Sequence, residues 1–365
     1  MAVVVSVITD MNIGGAGRAL LATIEGAGKR FEHIVILPEG SALAGRLESV
    51  GSAFVKAHGL ADQSFKPSAI FSLRRILRRL KPDIVHCHAA LSARVAARFC
   101  GAKIVYTRHS VFDPKRSDTV FPKKQLLGFV NNSLADAVIA VSPAAAKNLT
   151  DTGVDPKKIS VVYNGVYAVP PAGEDELKAA RSRFGVSDGD FVVSAISRLE
   201  GYKGHSYMIK AAEALASYPD IKFLFAGTGA DEQSLKDAAK HLPNVIFTGF
   251  VRDIEAISRI SGITINASYG TEATSLALLE CMSLGVPAVV SDFGGNPYVV
   301  TDGVNGLVTP MRDADALAAA IISLYKDRAL LKKLSGGAKR VFEEKFTARR
   351  MIDGIEAVYD GLLLP

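Results

Sequence analysis

Short runs of β-branched and aliphatic residues recur along the whole chain, each separated from the next by a stretch long enough to hold a helix. In the first half these runs are Val3–Thr9, His33–Pro38, Asp83–His88, Lys103–His109, Asp136–Ser142 and Ile159–Asn164. In the second they are Phe191–Ser197, Lys222–Gly227, Asn244–Gly249, Ile263–Ser268, Pro287–Ser291 and Gly306–Thr309. Segments as continuously apolar as VVVSVIT and DAVIAVS suit strands covered on both faces, the environment of a parallel sheet with crossover helices. The alternation predicts an α/β protein with two doubly wound, Rossmann-like domains, and 365 residues is too long for one comfortable core.

Between the two sets lies VYAVPPAGEDE, Val166 to Glu176. Pro170 and Pro171 continue neither a strand nor a helix, so the segment is the candidate linker. The expected division is residues 1–168, residues 169–345, and a terminal segment 346–365 that carries a last helix around Arg349–Leu363. Ligands of doubly wound sheets bind beyond the carboxyl ends of the strands, which directs attention to the loops that follow them.

Composition narrows the class. With 48% apolar and 22% charged residues the chain is globular. Cys87, Cys100 and Cys281 have no paired spacing and read as reduced thiols without a zinc site. Met1–Thr9 is apolar, but Asp10 follows at once and no basic segment precedes it, so it does not read as a signal peptide. No apolar run has the length to cross a bilayer, and the expected location is cytoplasmic or peripheral on the membrane's cytoplasmic face. The net charge of +6 is unevenly spread: residues 1–170 hold 22 Lys and Arg against 12 Asp and Glu, and the remainder 21 against 25. A basic half beside an acidic one points to an anionic partner for the former.

Two segments of the second half carry chemistry. In Glu272-Ala-Thr-Ser-Leu-Ala-Leu-Leu-Glu280 a loop after a strand leads into a nearly all-apolar helix, with Thr274 and Ser275 as natural N-caps. Glu280 lies inside that helix, where a carboxylate is costly unless it is hydrogen-bonded. It reads either as an internal salt bridge or as a ligand group at a helix whose free amides suit a diphosphate. In Ser197-Arg198-Leu-Glu-Gly-Tyr-Lys203-Gly204 two cations sit on a glycine-containing loop after the domain's first strand, a reasonable diphosphate clamp.

An ordered series of motifs spans nearly the whole chain: NIGGAGRAL (Asn12–Leu20), PDIVHCH (Pro82–His88), IVYTRH (Ile104–His109), ADAVIAVS (Ala135–Ser142), VVYNGV (Val161–Val166), SRLEGYKG (Ser197–Gly204), FAGTG (Phe225–Gly229), FTGFV (Phe247–Val251), ASYGTEATSLALLECMSLGVPAVVSDFGG (Ala267–Gly295) and DGVNGLVTP (Asp302–Pro310). In this series the sequence resembles glycosyltransferase family 4, the retaining enzymes of GT-B fold. The resemblance implies two Rossmann-like domains facing a central cleft, the first binding the acceptor and the second the nucleotide-sugar donor, with the last helix returning to the first domain. It implies that Arg198 and Lys203 bind the donor diphosphate, that Glu280 holds the ribose and that Glu272 holds hydroxyls of the transferred sugar. Backbone groups near Phe250 and Val251 would meet the nucleobase, and Thr274, Ser275 and Leu276 would open the diphosphate-binding helix. Gly14 and Gly15 would admit the donor to the N-terminal loop, and His109 would lie beside the donor sugar. His109, Glu272, Arg198 and Lys203 are thus the candidate catalytic group, with no metal and no cofactor. The co-substrate would be a nucleoside diphosphate sugar, of which a UDP-sugar is the family's usual one. The sequence departs from the family pattern at Ala273, where glycine is common, at Tyr167, where aspartate is usual, and at Glu200, placed between the two cations.

Other readings compete at particular positions. Gly15-Ala-Gly17-Arg-Ala-Leu20 invites a dinucleotide fingerprint but lacks its third glycine. A nucleotide-sugar epimerase can share this fold, as can a catalytically silent sugar-nucleotide binder. His86 and His88 share one side of a strand with metal-like spacing but no third ligand, and read better as polar lining. Ile70–Lys81 predicts an amphipathic helix with Ile70, Leu73, Leu77 and Leu80 inward and Arg74, Arg75, Arg78, Arg79 and Lys81 around the rest. This is either a packed helix with a solvated basic face or a contact with an anionic membrane that presents a lipid-linked or cell-envelope acceptor. A soluble small-molecule acceptor is the alternative.

Overall fold

The computed structural model describes every residue except Asp113 and Pro365. It divides into two compact units, Met1–Gly165 together with Ala348–Pro365, and Val166–Thr347.

The first unit is built on a seven-stranded parallel sheet: β1 (Ala2–Ile8), β2 (Phe31–Pro38), β3 (Ala53–Ala57), β4 (Ile84–His88), β5 (Lys103–Arg108), β6 (Ala137–Ala140) and β7 (Ile159–Val161), in spatial order β3-β2-β1-β4-β5-β6-β7. The order reverses between β1 and β4. Right-handed crossovers therefore place the helices that follow β1 and β2 on one face and those that follow β3, β4 and β5 on the other. The core follows this division. Val4 and Ile8 pack with the helices Gly15–Gly26 and Ala348–Leu363, whereas Val5 and Val7 pack with Leu73, Leu77, Ala93 and Ala96 of the helices Pro67–Leu80 and Leu91–Arg98. The last helix belongs to this unit: Met351, Ile355 and Tyr359 are buried against Val4, Ile84, Val105 and Ile139, and Arg30 pairs with Glu356 at 2.9 Å.

Strand β3 lies outside the six runs read from the sequence. It is an edge strand whose residues are largely half-exposed, it contains Lys56, and it pairs only with β2, so it lacks the apolar continuity of a central strand. The basic helix runs Pro67–Leu80, three residues ahead of the expected start, because Pro67 is well placed in a first turn. Leu73 and Leu77 are fully buried, and each contributes about 1.5–3 kcal/mol on the usual scale, so its inner face is a structural element. Arg75, Arg78 and Arg79 are exposed, whereas the Arg74 guanidinium lies 5.3 Å from the ring centre of Phe99.

The second unit carries a six-stranded parallel sheet: β8 (Phe191–Ile196), β9 (Ile221–Ala226), β10 (Val245–Gly249), β11 (Ile263–Asn266), β12 (Ala288–Ser291) and β13 (Gly306–Thr309), in order β10-β9-β8-β11-β12-β13. Each strand matches a run read from the sequence to within two residues at either end. The segment after Gly165 is fastened to this unit: Val166 donates to the Phe346 carbonyl at 3.0 Å, and Val169 donates to Ser283 Oγ at 3.0 Å.

Two adjacent glycines in the helix Arg328–Lys345 give a direct test of this packing. A Cβ on Gly336 would meet nothing within 4 Å, whereas one on Gly337 would lie 1.8 Å from the Val304 carbonyl oxygen. Gly336→Ala should stabilise the protein by about 0.5–1 kcal/mol through helix propensity. Gly337→Ala should destabilise it by about 1–3 kcal/mol through forced displacement of backbone. Urea unfolding of the two variants checks the opposite signs.

Candidate functional site

The reversal of strand order between β8 and β11 places the carboxyl ends of these two strands side by side, the position where doubly wound sheets bind ligands. The β8 loop, Ser197–Gly204, closes in a 3-10 turn over Gly201–Lys203. Gly204 then has φ +77°, and a Cβ there would lie 2.1 Å from the Ala267 carbonyl oxygen, so only glycine lets the β8 loop approach the β11 loop this closely. The approach delivers Lys203 to Glu272: Nζ lies 2.9 Å from Oε2, with the two side chains 15% and 7% exposed. Asn266 Nδ2 and Ser268 Oγ donate to the same oxygen at 2.9 and 3.2 Å. Three donors on one oxygen, one of them charged, offset the cost of burying the carboxylate.

The loop is braced from the neighbouring strand. Gly295 donates its backbone N–H to the Glu272 carbonyl at 2.9 Å, and Ser291 Oγ donates to the Ser268 carbonyl at 2.5 Å. Glu272 leads into the helix Leu276–Ser283, whose N-cap Ser275 accepts the Leu278 N–H on Oγ at 3.5 Å. Thr274 and Leu276 are buried beside it, and Glu280 is buried one turn further on, on the same side as Leu276. The helix N-terminus, the Lys203 cation and the Glu272 carboxylate are therefore gathered at one end of the sheet, with Glu280 buried one turn into the helix.

Arg198 behaves differently from Lys203. Its side chain is 71% exposed, donates to Tyr202 Oη at 2.6 Å, and lies 3.8 Å from Glu200 Oε1. The Glu200 carboxylate thus lies beside Arg198, while its backbone carbonyl accepts from the Lys203 N–H at 2.8 Å. Phe250, after β10, is largely exposed, while Val251 is packed among Val192, Leu224 and Ile257. Asn266, Ser268 and Tyr202 were absent from the sequence-derived set. The first two could have been noticed as polar residues closing an otherwise apolar strand.

In the first unit, Gly14 caps the helix Gly15–Gly26 with φ −90°, and a Cβ on Gly15 would meet nothing within 4 Å. His86 and His88 of β4 stack with ring centres 4.4 Å apart, and His88 stacks on His109 at 5.1 Å. Tyr359 Oη and Thr107 Oγ1 hold the two nitrogens of His86, each at 2.6 Å, and His88 Nδ1 lies 2.8 Å from His109 Nε2. Burial lowers all three: His86 to about 3, His109 to about 4 and His88 well below the ordinary value. They are neutral rings at pH 7. Among the described residues, His88 Nε2 and His109 Nδ1 have no hydrogen-bond partner. One proton is shared between the facing nitrogens, so whichever way the tautomers run, the pair leaves one donor and one acceptor unused. This is hydrogen-bonding chemistry, and no group of three His, Cys, Asp or Glu suited to a metal occurs among the described residues. Tyr359, from the last helix, carried no sequence signal for this contact.

Two doubly wound parallel sheets in one chain, each in its own compact unit, are the architecture of the GT-B fold. Comparison agrees. Residues 178–341 match the family model for glycosyl transferases group 1, and residues 13–168 match that for glycosyltransferase family 4. The chain is 27% identical over 312 residues to an Escherichia coli UDP-Gal:α-D-GlcNAc-diphosphoundecaprenol α-1,3-galactosyltransferase, covering 81% of this chain and 80% of that one. It is 28% identical over 311 residues to the D-inositol 3-phosphate glycosyltransferase of Salinispora arenicola, covering 76% and 68%. The crystal structure of Anabaena Alr3699/HepE in complex with UDP and glucose superposes with a TM-score of 0.86 at 21% identity, covering 99% of this chain and all of that one. The chain belongs to glycosyltransferase family 4, and it is a retaining enzyme that uses a nucleotide sugar.

Proposed function

We propose that this enzyme transfers a hexosyl unit from a UDP-sugar to a lipid-linked or cell-envelope glycan, without a metal ion. The observation that carries the donor reading is the Lys203–Glu272 pair at the switch point of the second sheet, at the head of the helix Leu276–Ser283. Lys203 and Arg198 neutralise the diphosphate as it departs, assisted by the amides around Thr274, Ser275 and Leu276. Glu280 accepts from the ribose hydroxyls, and backbone groups at Phe250 and Val251 meet the base. Gly14 and Gly15 leave room for the donor at the first unit's loop, and His109 acts beside the transferred sugar as a neutral hydrogen-bonding ring. Glu272 orients sugar hydroxyls. Its Oε2 already accepts from three donors, which suits a positioning role better than that of a covalent nucleophile. Retention then follows from displacement on the front face of the anomeric carbon.

The donor reading is supported by the UDP-galactose specificity in the E. coli relative's name and by the UDP held by HepE. The acceptor reading is supported by the diphosphoundecaprenol substrate of the E. coli enzyme and by the exposed Arg75, Arg78 and Arg79, with Arg74 beside them. No helix among the described residues is long and apolar enough to cross a membrane.

A panel of nucleotide sugars followed by thermal shift and by transfer assays, with and without exhaustive chelation, tests this reading. A UDP-sugar should raise the melting temperature by mass action, and transfer should survive chelation. Loss of transfer on chelation with rescue by magnesium or manganese would overturn the metal-free mechanism. Stabilisation by a non-uridine donor alone would overturn the base.

A further inference from the structure

Tyr202 touches both cations of the β8 loop. Its Oη accepts from Arg198 Nη2 at 2.6 Å, and Lys203 Nζ lies 5.6 Å from its ring centre, inside the range where a cation is attracted to an aromatic face. The tyrosine is itself held by contacts within the second unit. It lies in the 3-10 turn Gly201–Lys203, and its carbonyl accepts the Tyr269 N–H at 2.8 Å, which fastens the turn to the β11 loop. A Cβ on Gly270 would lie 2.5 Å from Tyr202 Cβ, so the lack of a side chain at Gly270 is what admits the tyrosine at this place.

The two cations need such support unequally. Lys203 is largely buried and paired with Glu272 at 2.9 Å. Arg198 is 71% exposed on a long side chain, and an anion that recruits it from free rotation must also order it, at an entropic cost. Arg198 also has a rival partner on its own loop. Glu200 Oε1 lies 3.8 Å from Arg198 Nη1, near enough to attract the guanidinium and too far for a hydrogen bond. A small rotation of the guanidinium would turn that proximity into a direct ion pair, and the positive charge would be spent on Glu200 instead of on a ligand. The bond to Tyr202 opposes that rotation. It is charge-assisted, and it uses only one of the five guanidinium donors, so an anion can still be met by the others.

We propose that Tyr202 is a positioning residue of the diphosphate site, whose hydroxyl holds the Arg198 guanidinium short of Glu200 and ready for the phosphates of the donor. The proposal rests on the reading of Arg198 as a donor-binding cation. It also accounts for Glu200: an acidic residue between two phosphate-binding cations is tolerated because a neutral acceptor keeps the arginine from closing on it.

The experiment is calorimetry with UDP on the wild type, on Arg198→Ala, Tyr202→Phe and Glu200→Gln, and on their pairwise combinations. Tyr202→Phe keeps the ring, so it should melt with the wild type while binding UDP about three- to tenfold more weakly, the loss expected when one hydrogen bond to a charged group is removed. In the Arg198→Ala background the same substitution should change nothing further. Glu200→Gln removes a negative charge near the phosphates and should tighten UDP binding in any background. Its gain should be larger by about threefold in the Tyr202→Phe background than alone, because there it also releases Arg198. A tyrosine that merely packed the loop would weaken UDP equally with and without Arg198 and would not be rescued at Glu200. Unchanged UDP affinity in Tyr202→Phe overturns the proposal. So does a loss that persists undiminished in Arg198→Ala, or a Glu200→Gln gain of one size in both backgrounds. Arg198→Ala that binds UDP as the wild type does overturns instead the assignment of Arg198 to the donor, on which the proposal rests.

Discussion

Lys203→Ala should weaken UDP binding by about 1.5–3 kcal/mol, roughly 10- to 150-fold, the usual value of a charge-assisted hydrogen bond. It should also destabilise the second unit. Lys203 Nζ lies 2.9 Å from Glu272 Oε2 with both side chains largely buried, so truncation strands a carboxylate in the protein. Breaking a buried pair typically costs about 3–5 kcal/mol. Here Asn266 and Ser268 continue to donate to the same oxygen, which brings the expected loss down to about 1–3 kcal/mol. Two effects on two observables allow the roles to be separated. In the double variant Lys203→Ala, Glu272→Gln the stranded charge is gone, and urea unfolding should recover most of the lost stability. UDP affinity measured by calorimetry should stay low, because the cation that meets the diphosphate is still missing. Recovery of affinity together with stability would show that Lys203 serves only as the counter-ion of Glu272, and its part in donor binding would fall.

The contrast between Lys203 and Arg198 bears on what a sequence can disclose about such a site. Both appear as cations on one loop, and spacing alone does not distinguish them. The distinction comes from Gly204, whose left-handed backbone turns Lys203 toward the β11 loop, while Arg198 is taken up by Tyr202 and Glu200. The Lys203–Glu272 contact joins residues 69 apart in sequence, and it follows from strand order, which no local pattern records. The architecture was more legible. Largely apolar runs marked twelve of the thirteen strands among the described residues, including the edge strands β7 and β10, which are only partly buried. The exception, β3, is an edge strand with Lys56 in it, where one-sided burial leaves no continuous run. Alternation along β4 placed His86 and His88 on one side, but their partner Tyr359 arrives from the far end of the chain through the packing of the last helix.

Mild acid should unfold the first unit, and the histidine stack is the reason. His86, His88 and His109 have their pKa values lowered by burial, His86 to about 3 and His109 to about 4. In the unfolded chain each returns to about 6.5. Above that pH neither state binds the proton and stability does not change. Between about 6.5 and the folded values, the unfolded chain takes up protons that the folded unit refuses, so stability is lost as pH falls. The slope is about 1.4 kcal/mol per pH unit for each histidine, and the loss attributable to His109 is complete near pH 4. Three rings titrating together lose about 4 kcal/mol per pH unit, and a domain commonly has only about 5–15 kcal/mol to lose. The second unit holds a single comparable ring, His205, lowered to about 4 mainly by burial, and should persist to lower pH. Hydrogen exchange read by mass spectrometry at pH 7, 6 and 5 should therefore show β4 and β5 opening before β8 and β11. His88→Asn removes one titrating ring while keeping an amide that can face His109, and it should reduce the slope by one proton. Protection in β4 that stays constant from pH 7 to pH 5 would mean that the stack admits protons in the folded state.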